Sequence, residues 1–168
     1  MVARLTLRAL HLDDAEAVFA LYRAVAASPE SGLARRPDEL SLDYVAGNIA
    51  KALNGGVALG AFREGRMVGV IRALPIGPRQ FAHVLTDLTV AVDPAAQGQG
   101  IGAALFSALF EATTALGITR VELMTRSGNG RAIALYEKLG FVREGCFRGR
   151  VRLPDGRIED DIAMARLA

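Results

Sequence analysis

Arg4-Leu5-Thr6-Leu7-Arg8 alternates polar and apolar positions with period two, the signature of a strand with one buried face. The period then lengthens. Asp13 or Asp14 is placed to cap a helix reaching about Ala27, with Ala17, Val18, Leu21, Tyr22 and Val25 along one apolar face. Ser28-Pro29-Glu30-Ser31-Gly32 breaks it, and residues 28–40 read as a polar loop. Ser41 caps a second helix to about Leu53, stopped by Asn54-Gly55-Gly56. Val57 to Arg63 and Met67 to Leu74 form a hairpin around Glu64-Gly65-Arg66. A loop from Pro75 to Gln80 leads into a long strand, Phe81 to Val92. A third helix is expected over 99–116, ended by Gly117, then a strand from Ile118 to Thr125. Asn129 opens a short helix to about Leu139, closed by Gly140. Phe141 to Leu153 and Arg157 to Leu167 make a last hairpin around Pro154-Asp155-Gly156. The order βααββ–βα–βα–ββ predicts a single α/β domain over residues 1–168, with a mixed sheet and helices on both faces.

Within that order one stretch carries chemistry. Gln97-Gly98-Gln99-Gly100-Ile101-Gly102 follows the apolar run Leu88 to Val92 and opens the helix starting at Ala103. Glycines let a backbone approach a ligand and take positive φ angles, and the free N–H groups at a helix start sit at the positive end of its dipole. The arrangement is a phosphate cradle. A P-loop requires Lys after the glycines, and none is present. The dinucleotide fingerprint is formally met by Gly98, Gly100 and Ala103, but Glu122, the acid it would need, lies inside the next strand-like run, and too little chain follows for a six-stranded nucleotide domain.

Gln97-x-x-Gly100-x-Gly102 after Leu88-Thr89-Val90-Ala91-Val92-Asp93-Pro94 resembles the acetyl-CoA motif of the GCN5-related N-acetyltransferases, Arg/Gln-x-x-Gly-x-Gly/Ala. Asn129-Gly130-Arg131-Ala132 and Leu135-Tyr136-Glu137-Lys138-Leu139-Gly140-Phe141 are similar to the second signature of that family. The resemblance covers residues 85–145. It implies a mostly antiparallel central sheet of about seven strands flanked by four helices, with strands 4 and 5 splayed to admit a pantetheine arm. It implies acetyl-CoA as co-substrate, with the pyrophosphate at Gln97, Gly98, Gln99, Gly100, Ile101 and Gly102.

Acetyl transfer from a thioester to an amine needs a neutral amine, donors for the tetrahedral oxyanion and a proton for the departing thiolate. Backbone groups of Leu88, Val90 and Val92 are expected donors, since a strand that has lost its neighbour presents unpaired N–H and C=O groups. On the resemblance, Tyr136 is the acid, because a phenol with a reference pKa of about 10 is protonated at neutral pH. Asp87, in mid-strand, is the candidate base; a buried ion pair with an arginine is the other reading. His83 lies four residues earlier on the same expected face, to assist or simply to pack. Asn129 serves as helix cap, as a pantetheine contact, or as both. Arg131 is placed to meet a CoA phosphate or solvent. Cys146 reads as a small core residue.

Composition bounds the rest. The 168 residues are 51% hydrophobic with net charge +2, which argues against a primary role on nucleic acid. No apolar run of 18 residues occurs, and the amino terminus lacks a signal-peptide core. One Cys and two His build no metal site. A cytoplasmic, metal-free enzyme is expected. Arg143, Arg148, Arg150, Arg152 and Arg157 crowd the carboxyl-terminal segment as a solvated face or as a lure for an anionic ligand. The acceptor is expected to be a free amino acid or small amine, with Arg35, Arg36 or Arg79 as carboxylate clamps. A protein amino terminus is the alternative acceptor, and a non-catalytic acyl-CoA-binding domain the alternative function. A homodimer through the sheet edge or final hairpin is plausible on the resemblance.

Overall fold

The computed structural model describes residues 3–168; Met1 and Val2, the start of the amino-terminal run, lie outside the described residues. Seven strands pair in one sheet: β1 (Leu5–Ala9), β2 (Val57–Arg63), β3 (Arg66–Pro75), β4 (Val84–Val92), β5 (Arg120–Arg126), β6 (Val142–Arg152) and β7 (Ile158–Leu167). The spatial order is β1-β2-β3-β4-β5-β7-β6. All neighbours are antiparallel except β4 and β5. Four α-helices flank it: α1 (Ala15–Ala26), α2 (Leu42–Leu53), α3 (Ile101–Ala115) and α4 (Gly130–Lys138).

The sheet separates two apolar cores. On one side Val18, Leu21, Tyr22 and Val25 of α1 and Val45 and Ile49 of α2 pack on Val70 and Leu74 of β3. On the other, Leu105, Phe106 and Leu109 of α3 and Ile133 of α4 pack on Ile71, Leu85, Val121 and Met164. The alternation of Val70 and Leu74 with Ile71 and Ala73 follows from the two-residue period of a strand buried on both faces. Gly69 lets α3 lie close to β3: a Cβ there would stand 2.9 Å from Ile101 Cγ2 and 3.0 Å from Leu105 Cδ1.

Local chemistry explains most boundaries. Ser41 caps α2 by accepting from the Tyr44 N–H at 3.1 Å. The β2–β3 turn puts Glu64 at φ 50° and Gly65 at φ 77°, the positive pair that a two-residue hairpin of this hand requires. Other expectations are corrected. Ala17 is exposed; the buried stripe of α1 is Ala15, Val18, Leu21, Tyr22 and Val25. Strand β4 begins at Val84, because Pro78 opens a 3-10 turn over Arg79–Phe81. His83 therefore precedes the strand and is exposed, its carbonyl accepting from Thr119 and Arg120. Cys146 is exposed rather than in the core, because β6 is an edge strand. The thiol points to Asp160 Oδ2 at 3.6 Å.

Candidate active site

The parallel pairing of β4 and β5 is confined to Val84↔Arg120 and Leu85↔Val121. Beyond Leu85, β4 stays paired with β3 up to Gly69↔Val92, while its other edge leaves β5. A strand that keeps one neighbour and loses the other offers alternate N–H and C=O groups to a ligand. A groove of about 660 Å³ opens beside this free edge. Its walls are Val90, Val92, the loop Gln97–Gly102, the start of α4 and the segment Ser28–Gly32.

The loop is shaped by two left-handed residues. Gly98 has φ 74° and Gly100 φ 78°, and Gly100 is the residue from which α3 departs. No side chain crowds the positions a Cβ would take at Gly98, Gly100 or Gly102. The first N–H groups of α3 thus sit at a bare, positive helix end. Upstream, Asp93 caps the turn Pro94–Ala96 through the Ala95 N–H at 2.9 Å and is held by Arg66 at 2.7 Å.

Of the expected binding residues, Val90, Val92, Gln97, Gly98, Gly100, Ile101, Gly102, Asn129 and Arg131 line this one groove. Leu88 is buried and Gln99 turns away to accept from Arg63. Asn129 caps α4 through the Ala132 N–H at 3.4 Å. Its Nδ2 would lie 3.1 Å from a Cβ at Gly32, so the 28–32 segment closes against the start of α4. Tyr136 stacks edge-on against the groove residue Phe106, with ring centroids 5.9 Å apart, and equally against Phe141. Burial pushes its phenol above the ordinary value, so it carries its proton throughout the neutral range. Among the described residues no cluster of His, Cys, Asp or Glu could hold a metal ion.

Asp87 lies two residues past the last β4–β5 pair. It combines features of both readings: its carboxylate is 61% exposed, yet it pairs at 3.0 Å with Arg72, whose side chain is 5% exposed. Burial alone would lower Arg72; the neighbouring Tyr22 and Asp87 oxygens outweigh it and hold the guanidinium above its usual value. Arg72 is the functional candidate that the sequence reading did not name. Its signal is a lone charge in the apolar run Met67 to Leu74. The other unforeseen contact is Glu159, which accepts from Arg126 at 3.1 Å and from the Gly128 N–H at 3.0 Å, fastening β7 to the groove wall. Arg35 lies over the Tyr44 ring at 4.1 Å, and the Arg36 N–H bonds Glu39.

A family model for the acetyltransferase (GNAT) family matches residues 18–141. The chain belongs to that family. It is 42% identical over 80 residues to the [ribosomal protein bS18]-alanine N-acetyltransferase of Escherichia coli strain K12, covering 48% of this chain and 53% of that protein. It is 32% identical over 134 residues to a mycothiol acetyltransferase of Sanguibacter keddieii, covering 78% of this chain and 41% of that protein. The chain thus spans about half, or less, of these relatives' lengths. Among solved structures, a phosphinothricin acetyltransferase of Sinorhizobium meliloti in complex with AcCoA superposes with TM-score 0.83 at 26% identity, covering 97% of this chain and 88% of that one. The residues present here fit acetyl-CoA: a bare helix start for a pyrophosphate, a free strand edge for amide groups, and a groove joining the two.

Proposed function

We propose that this GNAT domain is an acetyl-CoA-dependent N-acetyltransferase that acetylates a primary amine in a ternary complex. The observation that carries the reading is the groove that joins the α3 start to the unpaired edge of β4. Bound acetyl-CoA supplies an activated acyl group as a thioester. The chain's own residues do the rest. The α3 N–H groups and the loop Gln97–Gly102 hold phosphate. The free backbone groups of Leu88–Val92 bind the amide-bearing arm and offer donors where negative charge develops. Tyr136 keeps a proton for the departing thiolate. Asp87, at the mouth of the splay, takes the proton of the attacking ammonium, directly or through water.

A free amino acid or small amine is the first acceptor reading. A protein amino terminus is the second, favoured by the 42% identity to a ribosomal-protein alanine acetyltransferase. Thiol release from acetyl-CoA, measured across the twenty amino acids, a polyamine and peptides beginning with alanine, tests both. Turnover of one class supports the enzyme reading and assigns the acceptor. Acetyl-CoA binding without turnover of any of them would favour an acyl-CoA-binding domain.

A further inference from the structure

We infer that Arg72 is a positioning residue for the reaction: it holds Asp87 in a strained bulge beside the splay and fixes the direction of its carboxylate. The inference rests on the reading of Asp87 as the proton acceptor. The register between β3 and β4 moves from Arg72↔Thr89 to Leu74↔Thr86, so Asp87 and Leu88 together oppose Ala73. One extra residue in β4 makes a bulge, and bulges re-aim side chains. Asp87 takes φ 50° there, a left-handed angle more usual for glycine. Such angles persist only where the surroundings hold them.

Arg72 supplies that hold. Its Nη1 donates both to the Asp87 carbonyl at 3.1 Å and to Asp87 Oδ2 at 3.0 Å. One nitrogen therefore fixes the backbone and the side chain of the same residue. Nη2 donates to Tyr44 Oη at 3.4 Å, which ties the guanidinium to the start of α2. On its inner side Arg72 lines a cavity of about 10 Å³ with Tyr22 and Asn48. The pair is asymmetric: the cation is buried and the anion is exposed. A buried guanidinium needs a partner, so Asp87 is bound to this geometry. Yet Oδ1 has no protein donor among the described residues and stays available to an incoming ammonium.

The test is a double-mutant cycle, Arg72→Met and Asp87→Asn singly and together, read as thiol release with the acceptor panel above and as acetyl-CoA affinity by calorimetry. Asn tolerates the left-handed angle, so Asp87→Asn removes the charge and leaves the bulge. The expected result for Arg72→Met is a loss of kcat of roughly 10- to 100-fold with acetyl-CoA affinity within about 2-fold, since the clamp touches proton transfer and not the cradle. On the Asp87→Asn background the same change should cost less than about 2-fold, because coupled residues are not additive. Multiplicative losses, or full activity of Arg72→Met beside an inactive Asp87→Asn, would overturn the inference alone. Full activity of Asp87→Asn would overturn the reading of Asp87 and this inference with it. If Arg72→Met does not fold, Arg72→Lys takes its place in the cycle; a point charge cannot reproduce the fork, and a roughly 3- to 10-fold loss of kcat, absent on the Asp87→Asn background, is expected.

Discussion

Gly69→Ala tests whether the packing of α3 on the sheet sets the cradle. The new methyl would stand 2.9 Å from Ile101 Cγ2, 3.0 Å from Leu105 Cδ1 and 3.4 Å from the Ala91 carbonyl oxygen. Carbon atoms in contact sit about 3.5–4.0 Å apart, so the neighbours must retreat by roughly half an ångström or more. Leu105 Cδ1 ends a side chain and has some freedom, but Leu105 and Ile101 are both almost fully buried. Ile101 is β-branched, stiff at χ1, and is the first residue of α3. The helix start therefore shifts, and the free N–H groups of its first turn shift with it. Overpacking of this kind costs about 1–3 kcal/mol. For a domain of this size the melting temperature should fall by roughly 3–10 °C. A misplacement of about 1 Å can cost as much as 100-fold in function, so a smaller one should weaken acetyl-CoA by about 3- to 10-fold. Thermal melts and acetyl-CoA calorimetry read the two effects. Gly47→Ala is the control: the residue is on the exposed face of α2 with nothing within 4 Å of its would-be Cβ, and the change should gain about 0.5–1 kcal/mol. If Gly69→Ala leaves melting temperature and affinity unchanged, the packing argument is wrong.

Tyr136→Phe keeps the ring against Phe106 and Phe141 and removes only the hydroxyl, so the fold should hold while kcat falls by roughly 10²- to 10⁴-fold. Because burial raises the phenol, the alkaline limb of wild-type kcat that belongs to it should lie above pH 10; an unchanged rate in the variant would remove Tyr136 from the reaction. Asp14 accepts two hydrogen bonds from Arg8, at 2.8 and 2.9 Å, and one from the His11 N–H at 2.8 Å, which hold its carboxyl at about 2. A depressed acid stabilises the fold above its unfolded value and loses that contribution as pH falls from about 4 toward 2. Since Arg8 is 43% exposed, solvent screening limits the pair to about 1 kcal/mol; Asp14→Asn should lose that at pH 7 in urea melts, and the gap should close on acidification. A gap independent of pH would refute the assignment.

What the sequence discloses well is contiguous. The strand, glycine loop and helix of the cradle lie within Leu88 to Ala115, and their chemistry is local: glycine angles, a cap, a helix end. The Ser41 cap and the Glu64-Gly65 turn are legible for the same reason. What escapes the sequence depends on register. Arg72 meets Asp87 only because a bulge shifts β4 against β3, and Arg63 reaches Gln99 across 36 residues of chain. The exposure of Cys146 follows from β6 lying at the sheet edge, which no local pattern announces. Ala17 misleads because alanine fits either face of a helix, whereas the stripe through Val18, Leu21, Tyr22 and Val25 returns to Ala15.

The measurement that bears most directly on the central claim is an acetyl-CoA titration by calorimetry of the wild-type chain and of Gly100→Val. At φ 78° Gly100 holds an angle that a β-branched residue takes only with strain, so Val must unwind the loop from which α3 starts. The account predicts saturable binding to the wild type and a loss of affinity of at least about tenfold in the variant, the scale of 1.4 kcal/mol. No binding to the wild type, or equal binding to both, would contradict the assignment of the glycine loop as the acetyl-CoA site.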